Sequence, residues 1–267
     1  MLKGKIFKAF NKNDKIYLHL YMLTFFIPKV FLRDLIPNDF VDIHSHLLPG
    51  IDDGAKNIGD SLSLIQELQK IGFEQFITTP HIMTSVWDNT RSSINDSLEI
   101  TRNELKNKNV NVKINAAAEY LIDTNFITLF KTEQLLTLKE NYVLVEISYF
   151  NPPLQLFEIL FELQIAGYKP ILAHPERYSY YHNNFSEYKK LKKSGCLFQL
   201  NLLSTIGYYG KSVAETATKL LNLGMIDFVG SDVHHENHIL GFSKKIISKD
   251  NLPLKEAIDR NHFFRKT

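Results

Sequence analysis

The sequence predicts an α/β fold in which seven short strands alternate with amphipathic helices around a parallel sheet. Three observations carry that expectation. From Asp39 onward, short apolar β-rich runs alternate with helical patterns, as repeated β/α units require. Glycine stands just before four of the strands, at Gly72, Gly167, Gly195 and Gly224, where a helix C-cap belongs. Six of the seven strands run into a histidine or an acid at their C-terminal ends, a bias that chance rarely produces.

The strands are expected at Phe40–Ser45, Gln75–Thr79, Val112–Ala117, Tyr142–Ile147, Pro170–Ala173, Leu197–Leu200 and Ile226–Gly230. Between them, Leu62, Ile65, Leu68 and Ile71 form one helical stripe, and Leu156, Ile159, Leu160 and Leu163 another. The strand ends read, in order, His44 with His46, His81, Glu119, Glu146, His174, Asn201, and Asp232 with His234. Barrel enzymes place their chemistry at this face, where loops vary on a rigid scaffold. In His44-Ser-His46 and Asp232-Val-His234 the i, i+2 spacing puts both side chains on one face of an extended chain. A lone strand-end histidine is usually a structural hydrogen-bonding group. Five of them among several acids argue otherwise, because unpaired buried carboxylates are costly and a shared cation removes the cost.

Composition narrows the class. A length of 267 residues suits one large barrel domain. The net charge of +2 gives no reason to expect nucleic acid as a partner. Cys196 is the one cysteine, which excludes an internal disulfide and a Cys-rich zinc site and suits a reducing, cytoplasmic setting. With Leu at position 202, it also lacks the Arg six positions on that a cysteine-dependent tyrosine phosphatase needs. Neither a G-x-S-x-G elbow nor a Walker-type phosphate loop occurs. At the N-terminus, five lysines from Lys3 to Lys15 precede an apolar run from Ile16 to Ile27. No small-residue cleavage site follows it, and it is shorter than the roughly 18 to 20 residues that span a bilayer. Residues 1–39 are therefore expected as an extension that packs on the barrel, aids oligomerisation or touches a membrane surface, with the barrel at 40–267.

Val41-Asp-Ile-His-Ser-His46, Asp52-Asp-Gly54, Thr79-Pro-His81, Ala118-Glu119, Leu144-Val-Glu146, Ala173-His-Pro-Glu-Arg177 and Gly230-Ser-Asp-Val-His234 follow one another in an order that resembles the PHP (polymerase and histidinol phosphatase) superfamily. Within it the chain is most similar to the bacterial manganese-dependent protein-tyrosine phosphatases of capsular and exopolysaccharide loci, from about residue 40 to about residue 262. The resemblance implies a distorted (β/α)7 TIM-like barrel holding two or three divalent ions. Their ligands would be His44, His46, Asp53, His81, Glu119, Glu146, His174, Asp232 and His234, with Arg177 binding phosphate. Manganese is the ion it implies, and the thiolate-free donor set also suits iron, cobalt or zinc. One departure stands out. These phosphatases carry a second arginine shortly after the Asp-x-His motif, whereas here His235-Glu-Asn-His238 follows, leaving His238 or Lys244 as substitutes. The segment Ile82–Trp87 also lacks the basic pair of some relatives.

Such a site would use close metal ions to generate hydroxide from bound water and to clamp the oxygens of an in-line displacement. His46, His234 or a metal-bound water would assist the leaving oxygen, and Asp42, at i−2, would either orient the His44 ring or serve as a capping or surface acid. Ser45 and Ser231 are read as small strand-end residues, and His182, His235 and His262 as ordinary loop or surface histidines. Tyr208 and Tyr209 are candidates to border the mouth, with packing an equal alternative. The implied substrate is a phosphotyrosine protein, such as the tyrosine-rich tail of a polysaccharide-export kinase. Rival readings are a phosphatase for a small phosphomonoester such as histidinol phosphate, and a non-catalytic, metal-dependent phosphotyrosine scaffold. An amidohydrolase would place lysine or histidine where Glu119 and Glu146 stand.

Overall fold

The structure, a computed structural model, describes residues 30–266. The apolar run of the extension, and all residues before Val30, lie outside it. Nine parallel strand segments are present among the described residues: β1 Phe40–Asp42, β2 Phe73–Thr78, β3 His81–Ile82, β4 Lys113–Ala116, β5 Glu119–Leu121, β6 Tyr142–Glu146, β7 Lys169–Ala173, β8 Leu197–Asn201 and β9 Phe228–Gly230. They make a three-stranded sheet, β1-β2-β4, and a six-stranded sheet, β3-β5-β6-β7-β8-β9.

Nine segments reduce to seven barrel positions because two strands are interrupted. Pro80 has no amide hydrogen to give to a ladder, so β2 stops and resumes as β3. Beside it, β4 stops and resumes as β5, after Ala117 and Ala118. Backbone bonds carry the sheet across both gaps, from Thr79 N to Ser45 O (2.7 Å), Ala117 N to Thr78 O (2.9 Å) and Glu119 N to Pro80 O (3.1 Å). The ring closes between β1 and β9. There Ser45 pairs with Val233 in parallel, and Asp232 N donates to His44 O (2.7 Å) and His46 N to Val233 O (3.0 Å). The expected seven-strand, distorted barrel is thus the observed one, with β1 shorter than expected and β2 and β4 split.

The helices follow from local chemistry. Helix α1 (Ile58–Ile71) starts where the Asn57 side chain accepts the Asp60 amide hydrogen and stops at Gly72, whose φ of 126° a side chain would resist. Thr90 and Ser93 form a reciprocal capping box on α2 (Arg91–Asn107). The expected stripe of Leu156, Ile159, Leu160 and Leu163 is the buried face of the helix Leu156–Ile165. Of the other stripe, Ile65 and Leu68 are buried, while Leu62 and Ile71 pack at the core's edge.

Inside the barrel, Val41, Ile43, Ile77, Ala117, Leu144 and Ile171 form an apolar plug with Phe264. That plug seals the bottom, so the polar strand ends stand at the top on a dry floor. Leu32 and Leu35, in a 3-10 turn before β1, are buried in the outer core, so residues 32–36 pack with the barrel. Among the described residues no helix is long and apolar enough to cross a membrane.

One side chain underwrites the closure. Asn261, fully buried, accepts from Val229 N (3.0 Å) and donates to Val41 O (2.9 Å) and Val229 O (2.8 Å), tying β1 to β9. Asn261→Leu leaves those backbone groups unpaired. It is expected to cost about 3 kcal/mol, measured as ΔΔG by urea unfolding; an unchanged midpoint would show that the closure does not depend on it.

Candidate metal centre

The strand ends converge. His44 Nε2 lies 3.1 Å from Glu119 Oε2 and 3.3 Å from Asp232 Oδ1, and His46 Nε2 lies 3.4 Å from each of those oxygens and from His44 Nε2. His174 Nε2 meets Glu119 Oε1 at 3.0 Å, and His81 Nδ1 meets Glu146 Oε1 at 3.0 Å. Asp53 Oδ1 lies 3.5 Å from His81 Nε2 and 3.4 Å from His234 Nε2. All nine residues expected as ligands therefore fall into four overlapping groups of potential metal-binding atoms. His174 and Asp232 reach in from left-handed backbone, with φ of 34° and 50°, a conformation costly for residues other than glycine and concentrated at functional sites.

The protonation pattern tests whether a cation fits. Gln199 Nε2 donates to Leu200 O (2.8 Å), which fixes the amide so that its oxygen faces His44 Nδ1 at 2.7 Å. That oxygen only accepts, so Nδ1 carries the hydrogen and Nε2 presents a lone pair. Asp52 Oδ2, 2.8 Å from His46 Nδ1, dictates the same tautomer for His46. Two imidazole lone pairs and two carboxylates then face one another, all four side chains almost fully buried. Acceptor against acceptor is repulsive unless positive charge stands between them. Atoms bound at about 2.1 Å to one ion lie ~3.0–3.4 Å apart, which is the spacing seen. Moreover, His81 Nδ1 and Glu146 Oε1 are buried without a hydrogen-bond partner despite their proximity. The residues fit divalent ions.

Electrostatics agree. Burial disfavours a charged His44 ring, yet the carboxylates of Glu119 and Asp232 outweigh it and raise the pKa to about 9. Asp232 is buried too, but His44, His234 and Arg177 hold it well below the usual carboxylate range. Asp232 divides its oxygens. Oδ1 faces His44 and His46, and Oδ2 accepts from Arg177 Nη1 (2.7 Å) and Asn201 Nδ2 (2.8 Å). The cluster opens into a cleft of about 500 Å³, walled by Trp87, Tyr149, Phe150 and Tyr209 with Arg177 at its side.

Several expectations need correcting. Asp42 does not orient His44; its oxygens accept from Ser231 N (2.9 Å) and Ser231 Oγ (2.6 Å), and Gln199 holds the ring instead. His238 cannot replace an arginine. It is buried, its Nδ1 accepts the His234 amide hydrogen (3.1 Å), and burial with His235 and His234 nearby pushes its pKa down to about 3. Lys244 bonds through its carbonyl to Leu32 N and is absent from the cleft lining. Tyr209 lines the cleft, whereas Tyr208 packs its ring edge on His238. His235 is exposed and borders the cleft, while His182 ties Ser212 to the Glu176 carbonyl. Asp52, Gln199 and Tyr149 join the site without having been expected there. Gln199 lies at i−2 from Asn201, the one signal that it shares the inward face.

A parallel β/α barrel crowned by this His/Asp/Glu cluster defines the class of metal-dependent barrel hydrolases. Within that class the chain belongs to the family described as "Capsular polysaccharide synthesis, CpsB/CapC", which matches residues 40–240. It is 29% identical over 196 residues to the tyrosine-protein phosphatase YwqE of Bacillus subtilis, covering 73% of this chain and 77% of that protein. It is 26% identical over 219 residues to the tyrosine-protein phosphatase CpsB of Streptococcus agalactiae, covering 79% and 90%. Among solved structures it superposes, with a TM-score of 0.71 and 26% identity over 83% of this chain and 94% of the other, on one from a study of Bacillus subtilis YwqE and Streptococcus pneumoniae CpsB, described as unique metal-dependent tyrosine phosphatases.

Two outcomes follow from the cluster. Gln199→Leu removes the acceptor behind His44 and is expected to weaken metal affinity by roughly tenfold or more, read by competition with a chromophoric chelator; unchanged affinity would dismiss its orienting role. The His44 pKa, raised from 6.5 to about 9, means that chelated protein holds this contribution to stability below pH 6.5 and loses it as pH rises through about 9. Its Tm is expected to fall across that window, and added manganese, which takes the proton's place, to abolish the fall. A flat profile after chelation would contradict the electrostatic reading.

Proposed function

We propose that this protein is a manganese-dependent protein-tyrosine phosphatase whose two or three ions are held by His44, His46, Asp53, His81, Glu119, Glu146, His174, Asp232 and His234. The observation that carries the reading is the confrontation of imidazole lone pairs and carboxylates beside an arginine on the far oxygen of Asp232. When bound, the ions supply an activated water nucleophile and neutralise the charge that develops on phosphate.

The chain's own residues do the rest. Arg177, steered by Asp232, offers its remaining donors to phosphoryl oxygens. His234, expected to assist the leaving oxygen, borders the cleft, but it donates Nδ1–H to Asp232 O (2.9 Å) and turns Nε2 to Asp53 Oδ1 (3.4 Å), so it is read as a ligand. His46, expected for that role as well, has Nδ1 committed to Asp52 and Nε2 to the cluster, and is read as a ligand alone. A phenol, with an ordinary pKa of about 10, leaves as its anion with less help than an alcohol. The aromatic walls of the cleft suit a tyrosyl ring, and His44 to His234 stand on a floor that excludes bulk water.

The substrate in this reading is a phosphotyrosine protein, with the tyrosine-rich tail of a polysaccharide-export kinase in the cytoplasm as the specific candidate that the family's capsular link favours. Membrane-surface contact or oligomerisation through the N-terminal extension remains part of the proposal, carried by its lysines and apolar run. Manganese-loaded protein is expected to turn over phosphotyrosine peptides with a higher kcat/KM than histidinol phosphate, and Arg177→Ala to keep its metal while losing about a hundredfold in kcat/KM. A tenfold preference for histidinol phosphate would overturn the substrate, phosphopeptide binding without turnover would leave a scaffold, and unchanged activity would remove Arg177 from the site.

A further inference from the structure

Among the described residues the cleft has one arginine and no lysine in its lining, and neither His238 nor Lys244 supplies a second cation there. A single arginine on a flexible stem must be frozen when it takes up an anion, and that freezing costs affinity. In this structure much of it is done in advance. The Arg177 guanidinium carbon lies 4.9 Å from the ring centre of Tyr149 and 4.3 Å from that of Tyr209. Its Nη1 is tied to Asp232.

The two rings come from either side. Arg177 sits in the turn after β7, Tyr149 follows β6, and Tyr209 follows the 3-10 turn Leu202–Ile206 after β8. Each ring is itself braced. Tyr149 stacks on His174, with ring centres 5.7 Å apart and planes at 22°, and leans on Tyr178 at 5.6 Å. The Tyr209 hydroxyl accepts from Asn201 Nδ2 (3.0 Å), whose amide also donates to Asp232 Oδ2. Aromatic surface attracts the cation and keeps water from it, which strengthens any hydrogen bond it then makes to an anion.

We propose that Tyr149 and Tyr209 are positioning residues that clamp the Arg177 guanidinium in readiness for the phosphoryl group, so that the single arginine of the cleft binds it without a second cation. The clamp rests on the phosphate-binding role proposed for Arg177. It predicts that the rings, not the hydroxyls, matter, and that they act through Arg177.

The test uses the full-length, manganese-loaded enzyme with Tyr149→Leu, Tyr209→Leu, Tyr149→Phe and Tyr209→Phe, each alone and combined with Arg177→Gln. The readouts are the inhibition constant of inorganic phosphate, KM and kcat on p-nitrophenyl phosphate, and bound manganese. Each leucine variant is expected to raise the phosphate inhibition constant and KM about fivefold, with the phenylalanine variants within about twofold of the parent. The fall in kcat should be smaller and the manganese content unchanged. With Gln at 177, the leucine substitutions should have no further effect. The clamp is overturned if the leucine variants bind phosphate like the parent, lose manganese, or show the same loss without Arg177. An inactive parent, or an Arg177→Gln enzyme that binds phosphate normally, would instead bring down the phosphatase reading, and the clamp with it.

Discussion

The organisation of this molecule depends on one repulsion. Two imidazoles whose hydrogens are committed to Gln199 and Asp52 turn their lone pairs on each other and on the carboxylates of Glu119 and Asp232. No rotation of a ring relieves this, because the alternative tautomers would break the buried bonds behind. Without a metal ion only a second proton on the ring does, which is why the His44 pKa rises to about 9. A cation at the centre converts the same geometry from costly to favourable. Orphaned atoms on His81 and Glu146 extend the argument to a second point in the cluster.

The fold meets that requirement by stopping strands at one level. Breaks at Pro80 and Ala117–Ala118 let His81 and Glu119 restart short strands that face the cluster, and left-handed turns at His174 and Asp232 swing those side chains inward. Beneath lies the apolar plug, so that charge at the top is felt through little water. Close packing enforces the arrangement as well. A Cβ on Gly230 would stand 2.5 Å from both Gln199 Nε2 and His44 Cβ, so His44 and its brace leave no room for any other residue.

Much of this was legible in the sequence, for stated reasons. Alternation of apolar runs marked the seven barrel positions, since parallel strands are buried on both faces. The strand-end cluster stood out because histidine and carboxylate at successive ends have no common structural purpose. The part that sequence hides is mostly how the clustered side chains are braced. Asp42 and Gln199 are both polar residues two steps from a strand-end side chain, and only coordinates show that the glutamine, not the aspartate, reaches His44. The split of β2 was signalled by Pro80, but the matching split of β4 has no proline behind it. His238 carried the expected chemistry of a cation until its burial was known. Tyr149 had no pattern of its own; its value comes from lying across from Tyr209, far away in sequence.

The most direct measurement is anomalous X-ray scattering at the manganese edge from crystals of the metal-loaded protein. A cation-holding cluster predicts two or three peaks, all enclosed by the side chains from His44 to His234 and within bonding distance of the nine residues named. Peaks elsewhere on the surface, or none within the cluster, would contradict it.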